Sequence, residues 1–272
     1  IKIGNLTSKT DYSERKSIIK NLENGEIKIL FGTHSVFQEK IQYKKLGLIV
    51  IDEQHKFGVK QRISIAKKGI DVDILVMSAT PIPRSLSFSK YGDLDFSVIK
   101  EKPNERKKIL TSIISQNRIK ELVSRLTVAI SKGEKVYWVC PAIEVNETSN
   151  ITAVNTRFDY LLNNIKQFSI GFIHGQMSSD EKNKMMNLFS FGKIRLLVST
   201  TVIEVGIDIK DASIMIIEGA ERFGLAQLHQ LRGRIGRGDK QSKCILIYSK
   251  NSSPNSINRL KILKESDDGF EI

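Results

Sequence analysis

Short apolar runs alternate with amphipathic stretches along the whole chain, and this alternation limits the fold more than any other feature of the sequence. The apolar runs predict strands near residues 28–32, 46–51, 73–78, 94–99, 135–140, 169–173, 194–199, 213–218 and 243–248. The amphipathic stretches predict helices near residues 12–23, 84–90, 117–131, 156–166, 179–189 and 227–232. Strands that alternate with helices form parallel sheets with right-handed crossovers, so the predicted fold class is α/β.

A charged stretch without an apolar period, residues 100–108, contains a proline and predicts a break between two domains. The expected parts are a first domain, a linker, a second domain and the start of a C-terminal extension, at residues 1–101, 102–110, 111–250 and 251–272. The polar segment 144–155 predicts a loop. Because both ends of the chain fall inside a pattern, we expect it to be a fragment of a longer protein.

The 272 residues include 43 Lys and Arg against 30 Asp and Glu, a formal net charge of +13. Such an excess favours a polyanionic partner through phosphate contacts and counterion release. The alternative is a lysine-rich proteome, in which the charge says little about binding. Cys140 and Cys244 lie in apolar runs and are expected to be buried thiols of a reducing compartment. No apolar run approaches the roughly 20 residues of a membrane helix, so no membrane partner is expected.

Adjacent carboxylates, Asp52 and Glu53, end the apolar run 46–51 and precede Gln54 and His55. A buried parallel strand that ends in acids delivers them to the edge of its sheet, where open α/β sheets bind ligands. There Asp52 can hold a Mg²⁺ ion bound to nucleotide phosphates, and Glu53 can orient or activate the attacking water. The alternative interpretation of this pair is an ordinary solvated turn.

Two small hydroxyl groups, those of Ser78 and Thr80, follow the apolar run 73–78, and two prolines then restrict the turn. Hydroxyls at this place can hydrogen-bond the neighbouring carboxylates and sense the γ-phosphate of a nucleotide. The alternative is a serine or threonine cap of the helix predicted next.

Three arginines, Arg232, Arg234 and Arg237, alternate with glycines. Glycine lets the backbone approach a phosphate closely, and arginine supplies forked hydrogen-bond donors for it. One interpretation is an arginine finger that neutralises charge on a transferring phosphoryl group, which needs the nucleotide to lie between two domains. The other is a basic surface loop that contacts a nucleic-acid backbone.

Two further motifs follow predicted strands without deciding between a ligand and a plain turn. Thr33 and His34 come after the run 28–32 and can offer backbone and hydroxyl donors to a nucleic-acid phosphate. His174 follows the run 169–173 in the same way and is equally ambiguous. No pair of cysteines or histidines has the spacing of metal ligands.

The sequence contains no phosphate-cradling loop of the form G-x-x-x-x-G-K-[ST]. The Gly-Lys pair Gly192-Lys193 lacks both the earlier glycine and the following hydroxyl. We therefore expect that this chain alone lacks the main grip on the phosphates of a nucleotide.

Together these strings resemble the motifs of superfamily 2 helicases. Residues 52–62 resemble motif II, 77–84 motif III, 200–208 motif V and 221–237 motif VI. Residues 32–34 resemble motif Ib, and residues 268–272 resemble the segment that follows motif VI. The long form of these motifs is similar to the RecG family, ATP-dependent DNA helicases that remodel branched DNA and stalled replication forks in recombination and repair. The resemblance covers nearly the whole chain.

Three other interpretations of the motifs differ in function. The Mfd family, transcription-repair coupling translocases, is the nearest rival, but Gln54 and the segment 218–221 favour the RecG family. A DEAD-box RNA helicase is disfavoured because Gln54 and His55 stand where that family has Ala and Asp. A non-catalytic DNA-binding module, with the motifs kept as a scaffold, is the alternative from another class.

The RecG resemblance implies two RecA-like domains, the first of them incomplete here, and a motor that uses ATP and Mg²⁺. It implies catalytic residues Asp52 (through Mg²⁺), Glu53 (as base), Gln54, His55, Arg234 and Arg237. It implies further nucleotide contacts from Gly206, Asp208 and Gln230, coupling by Ser78 and Thr80, and DNA contacts from Thr33, His34, Thr200 and Thr201. The implied partner is branched or forked DNA, with a single-strand DNA-binding protein as a candidate second partner. The implied setting is a monomer in the bacterial cytoplasm, associated with the nucleoid.

Overall fold

A computed structural model of the chain describes residues 1–38, 41–53, 72–78, 95, 97–99, 101, 107–141, 147–200, 212–238 and 240–266. Contacts divide the chain into two compact units, Ile1–Ala79 and Thr80–Ile272. All strand pairs in both units are parallel within the described ranges, which confirms the predicted fold class. The helix predicted at 84–90 lies outside the described residues, and the predicted domain boundaries stay a prediction.

The first unit begins with a strand, a helix and a second strand: β1 (Lys2–Leu6), α1 (Tyr12–Glu23) and β2 (Ile27–Gly32). The two strands pair in parallel, so α1 is their crossover. The helix spans the residues predicted from its period and buries one apolar stripe against the strands. The small core formed in this way contains Leu6, Ile18, Leu22, Ile27 and Ile41.

A second parallel pair in this unit carries the predicted carboxylates. It consists of β3 (Leu48–Ile51) and β4 (Asp73–Val76), with Ile51 opposite Val76. Ile49 and Ile51 are buried while the alternate residues of β3 are exposed. Such alternation marks a strand with one covered face.

The second unit contains a six-stranded parallel sheet with the strand order β5-β10-β9-β6-β8-β7. Its strands are β5 (Leu110–Ser115), β6 (Lys135–Val139), β7 (Ile170–Ile173), β8 (Leu196–Ser199), β9 (Ala212–Glu218) and β10 (Lys243–Tyr248). Every residue of β6 and β8 is buried, as expected for strands that are covered on both faces.

Helices cover both faces of this sheet and form two cores. They are α2 (Ile119–Ser131), α3 (Glu147–Asn164), α4 (Ser179–Ser190), α5 (Leu225–Arg232) and α6 (Pro254–Glu265). Leu126 of α2 and Leu161 of α3 belong to the core that contains Trp138. Residues of α4, α5 and α6 belong to the core that contains Tyr137, the neighbour of Trp138 in β6. Successive residues of one strand thus face opposite cores.

Both cysteines are buried free thiols, as predicted. Cys140 follows β6 and Cys244 lies within β10. Burial raises the pKa of both thiols, that of Cys244 to about 12. Each therefore behaves as a small apolar core residue at neutral pH.

Two predictions from the sequence were wrong. The described residues of the run 94–99, which are 95 and 97–99, form no strand, and Ile99 is 93% exposed. The polar segment 144–155 was expected to be a loop, but residues from Glu147 onward belong to α3. Apolar residues at helical spacing explain the longer helix, since Val154, Phe158, Leu161 and Ile165 all pack in one core.

Three of the strands and α-helices lie outside the predicted ranges: β1 at the start of the chain, β5 and α6. Strand β5 lies at the edge of its sheet and leaves Leu110 51% exposed, so its sequence is less apolar than that of a central strand. Helix α6 has a polar surface but clear start signals: the Ser253 hydroxyl accepts a hydrogen bond from the N–H of Ser256, and Pro254 opens the first turn.

Helix α4 begins with a capping box, formed by Ser178 and Glu181 at the spacing typical of this motif. The Ser178 hydroxyl accepts from the N–H of Glu181 at 3.2 Å, and the Glu181 carboxylate accepts from the N–H of Ser178 at 2.8 Å. Hydrogen bonds from the Ser178 side chain and backbone lower the pKa of Glu181 below its ordinary value of 4.5. The ionised carboxylate is thus the form that the helix start favours.

This pKa shift makes a stability difference that depends on pH. Because the folded-state pKa of Glu181 is depressed, its contribution is present above pH 4.5 and is lost as pH falls through the folded value. We expect Glu181→Gln to lower the melting temperature at pH 7 and to narrow the difference from the parent below pH 4. Thermal unfolding at both pH values measures this, and an unchanged gap at low pH would contradict it. Glu14→Gln, an exposed glutamate in α1, serves as control.

Candidate functional site

The backbone turns sharply where β3 delivers its carboxylates. Asp52 directly follows the strand and is exposed, and the N–H of Glu53 donates to Oδ1 of Asp52 at 2.9 Å. Glu53 has a φ of +51°, a left-handed conformation that is uncommon for any residue other than glycine. Backbone strain of this kind costs roughly 1–3 kcal/mol and clusters at functional sites.

Ser78 lies at the same sheet edge as these carboxylates. Strands β3 and β4 run in parallel with Ile51 opposite Val76, and the N–H of Met77 donates to the carbonyl oxygen of Ile51 at 2.8 Å. Parallel strands in this register end together, so Asp52 and Ser78 leave the sheet side by side. Gln54, His55 and Thr80 lie outside the described residues.

The donor set at this edge fits a magnesium ion held jointly with a nucleotide. Within the described part of the chain, no cluster of three His, Cys, Asp or Glu side chains could hold a metal ion alone. Magnesium in nucleotide enzymes binds through one or two carboxylates plus phosphate oxygens and water. The exposed carboxylate of Asp52 meets that requirement, whereas a transition-metal site would need more protein ligands.

The arginine-bearing loop lies between α5 and β10, and we call residues 233–238 the arginine loop. Arg237 is exposed, and its Nε donates to the carbonyl oxygen of Gly233 at 3.3 Å. Arg234 is half-buried, as is Gln230 in the last turn of α5. Gly236 has a φ of +77°, and a Cβ there would lie 3.0 Å from Cγ1 of Ile109, so this turn requires glycine.

Arg232 stands apart from the other two arginines. Its side chain is buried with only 2% of its surface exposed, and it donates to the carbonyl oxygens of Leu263 and Ser266. The sequence pattern named all three arginines as candidates for phosphate contact. The structure offers two of them, Arg234 and Arg237, in the arginine loop.

Several predicted residues lie at the carboxyl ends of strands in the two units. Thr33 is exposed directly after β2, and its N–H donates to the carbonyl oxygen of Leu6 at 3.4 Å. His34 opens a short 3₁₀ helix after it. Thr200 follows β8 and is buried, with its N–H donating to the carbonyl oxygen of Ile173 at 3.3 Å. Thr201, Gly206 and Asp208 lie outside the described residues.

Thr200 lies at the carboxyl ends of the strands in the second unit's sheet. Within the described residues, three buried polar atoms at this end of the sheet have no hydrogen-bond partner. They are Ser199 Oγ at the end of β8, Nδ1 of His174 after β7 and Oε2 of Glu221 after β9. The ring of His174 stacks on Phe172 with centroids 5.9 Å apart. Unpaired buried groups are costly, which makes this edge suited to a polar ligand.

A group of residues that the sequence pattern did not single out fixes the end of β9. Glu218 accepts from Nε1 of Trp138 at 2.9 Å and from both Nε and Nη2 of Arg157. The guanidinium of Arg157 also lies 5.2 Å from the ring of Tyr160. These residues come from β6, α3 and β9, and only the glutamate at the end of an apolar run gave a local signal.

No helix in the described ranges is long and apolar enough to cross a membrane.

Sequence comparison assigns the two halves of the chain to helicase domains. Residues 1–87 match the DEAD/DEAH box helicase family, and residues 116–239 match the helicase conserved C-terminal domain. In fold, the chain is similar to S. cerevisiae Dbp5 bound to RNA and ADP BeF3, with a TM-score of 0.67 at 16% identity over 98% of this chain and 69% of that one. The chain therefore has the core architecture of a superfamily 2 helicase, with RecA-like parallel sheets.

Relatives with higher identity to this chain point to one family among these helicases. The ATP-dependent DNA helicase RecG of Thermotoga maritima is 43% identical over 273 residues, and that of Bacillus subtilis is 40% identical over 273 residues. A solved structure of RecG bound to a three-way DNA junction matches the whole chain with a TM-score of 0.76 and 40% identity, and the chain covers 35% of it. Over its whole length the chain is thus similar to RecG helicases, which confirms the predicted resemblance. It spans 35% and 40% of the two curated relatives' lengths.

Proposed function

We propose that this chain forms most of the motor core of an ATP-dependent DNA helicase that remodels branched DNA and stalled forks in recombination and repair. The observation that carries the proposal is the match of this whole chain, at 40% identity, to part of RecG bound to a three-way DNA junction. The DEAD/DEAH box family match implies ATP use. The net charge of +13 suits a DNA partner.

Asp52 and Glu53 are proposed to act at the triphosphate. When Mg²⁺ is bound with the nucleotide, it screens the negative charge of the phosphates. Asp52 holds that ion through its exposed carboxylate. Glu53, fixed by its left-handed backbone and by its N–H bond to Oδ1 of Asp52, orients the attacking water and accepts its proton. Gln54 and His55 complete the motif by resemblance.

Gln230, Arg234 and Arg237 are proposed to contact the triphosphate from the second domain, the two arginines as fingers. Their support is the family match, which includes all three residues, together with the exposure of Arg237. Gly206 and Asp208 are proposed to line the nucleotide in the same way. Forked guanidinium donors fit phosphate oxygens that gain charge in the transition state.

Ser78 and Thr80 are proposed to couple ATP hydrolysis to movement on DNA. The support for Ser78 is its place after β4, at the same end of the strand pair as the carboxylates. Thr33, His34, Thr200 and Thr201 are proposed to contact the DNA backbone. Thr33 is exposed after β2, where its hydroxyl suits a phosphate, whereas the proposal for the buried Thr200 rests on resemblance.

The remaining proposals concern setting and partners. We propose a monomer in the bacterial cytoplasm that works at the nucleoid, with a single-strand DNA-binding protein as a second partner. These proposals rest on family resemblance alone.

ATP hydrolysis by the whole protein, with forked DNA and with linear duplex of equal length, tests the proposed function. Strong stimulation by forks together with fork unwinding is the expected result. The 272-residue chain assayed beside it is expected to be inactive, since its sequence has no G-x-x-x-x-G-K-[ST] loop. Fork-independent translocation on duplex would instead favour an Mfd-like translocase. Absence of turnover in the whole protein, with DNA binding retained, would favour a non-catalytic binding module.

A further inference from the structure

The guanidinium of Arg232 is enclosed by backbone and side-chain acceptors. Nη1 lies 2.5 Å from the carbonyl oxygen of Leu263, 3.1 Å from that of Ser266 and 3.5 Å from Oγ1 of Thr111. Nη2 lies 3.2 Å from Nδ1 of His229. A guanidinium can only donate, so Nδ1 of His229 accepts and the neutral ring carries its proton on Nε2.

Carbonyl groups at the end of α6 offset the free-energy cost of burying the charge of Arg232. Leu263 lies in the last turn of α6, and Ser266 directly follows the helix. The last carbonyl groups of a helix have no partner within it and carry partial negative charge. Arg232 satisfies two of these carbonyls and so joins the end of α5 to the end of α6. A cation buried without such acceptors would be strongly unfavourable.

Arg232 also stands where the arginine loop starts. The N–H of Arg234 donates to the carbonyl oxygen of Leu231 at 3.0 Å, and the N–H of Ile235 donates to that of Arg232 at 3.3 Å. Further along, Gly236 packs against Ile109. The path of the loop is therefore set by the clamped end of α5 on one side and by the packing of Gly236 on the other.

We propose that Arg232 is a positioning residue: by holding the end of α5 against the end of α6, it places Arg234 and Arg237 for the transition state of ATP hydrolysis. The inference rests on the proposed function, because it needs those two arginines to act on the triphosphate. Misplacing a catalytic group by about 1 Å can cost on the order of 10²-fold in rate. The effect is thus expected in kcat rather than in KM.

The first test measures fork-stimulated ATP hydrolysis by the whole protein carrying Arg232→Gln or Arg232→Lys. Glutamine removes the charge and cannot satisfy both carbonyls, so kcat is expected to fall on the order of 10²-fold with KM for ATP within about threefold. Lysine keeps a cation that can reach one carbonyl, so an intermediate kcat is expected. A kcat equal to that of the parent in Arg232→Gln would overturn the proposal.

A matched loss of stability separates positioning from general destabilisation. Leu126→Ala empties part of the core on the opposite face of the same sheet. At a temperature where thermal unfolding shows both variants to be folded, Leu126→Ala is expected to keep kcat within about twofold of the parent. Equal losses of kcat in Leu126→Ala and Arg232→Gln would assign Arg232 a purely structural role.

A substitution at the end of α6, which supplies the carbonyl acceptors, tests the contact with Arg232 without changing the buried guanidinium. Lys264 is exposed in the last turn of α6, and Lys264→Gly loosens that turn. We expect kcat to fall a few-fold in the parent and to change little in an Arg232→Lys background, since the contact is already weakened there. Equal effects of Lys264→Gly in both backgrounds would refute the contact as the cause.

Glu53→Gln, measured beside these variants, separates a failure of the proposed function from a failure of the positioning role of Arg232. Full turnover in Glu53→Gln would remove the proposed function and with it the basis of the inference. Lost turnover in Glu53→Gln with normal kcat in both Arg232 variants would leave the function standing and remove only the positioning role.

Discussion

Glu53→Gln in the whole protein is expected to reduce fork-stimulated ATP turnover by about 10²–10⁴-fold, the usual contribution of a general base. Glutamine has nearly the shape of glutamate and can hold the same hydrogen-bond geometry, but it cannot accept the proton of the attacking water. DNA binding is expected to stay within about twofold, because no proposed DNA contact involves Glu53. Steady-state ATP hydrolysis and fork-binding titrations measure the two quantities.

The same substitution at a surface glutamate is the control. Glu121 on α2 forms ion pairs with Arg118 and Arg125 and is exposed, so Glu121→Gln is expected to leave turnover unchanged. Normal turnover in Glu53→Gln would take the role of base away from Glu53. Its left-handed backbone would then be a feature of the turn alone.

Regular periodicity decided which elements could be predicted. The bounds of α1 and β10 agree with their apolar patterns, since each element buries one stripe or one run against its neighbours. The edge strand β5 and the polar-surfaced helix α6 were missed because long-range packing, rather than local pattern, specifies them. The run 94–99 shows the converse, since its described residues, 95 and 97–99, form no strand despite the apolar pattern.

The candidate site was predictable where its residues follow strands directly. The parallel register of β3 and β4 brings Asp52 and Ser78 to one edge, as two runs with polar ends require. By contrast, nothing in the spacing of the three arginines distinguishes Arg232, whose two carbonyl acceptors lie 31 and 34 residues away in sequence at the end of α6. Contacts that join distant segments, including Glu218 with Arg157, are set by tertiary structure and leave no local signature.

Arg237→Ala is expected to reduce kcat for ATP hydrolysis in the whole protein by about two orders of magnitude or more, since arginine fingers contribute roughly 10³–10⁵-fold in rate. Arg237 is exposed in the arginine loop, and forked guanidinium donors fit the phosphate oxygens that gain charge in the transition state. Its loss should affect the transition state more than ground-state binding, so KM for ATP should change much less than kcat.

Arg125→Ala supplies the matched control, because Arg125 is an exposed arginine on α2 with 75% of its side-chain surface accessible. That variant is expected to keep kcat, and both variants should keep their melting temperatures within a few degrees of the parent. A change of less than about threefold in Arg237→Ala would assign Arg237 to the DNA backbone instead. In that case the salt dependence of DNA binding should lose about one unit of slope, since each phosphate contact contributes close to one. The two roles thus predict opposite outcomes in two separate assays, kcat at saturating DNA and fork affinity across a salt series.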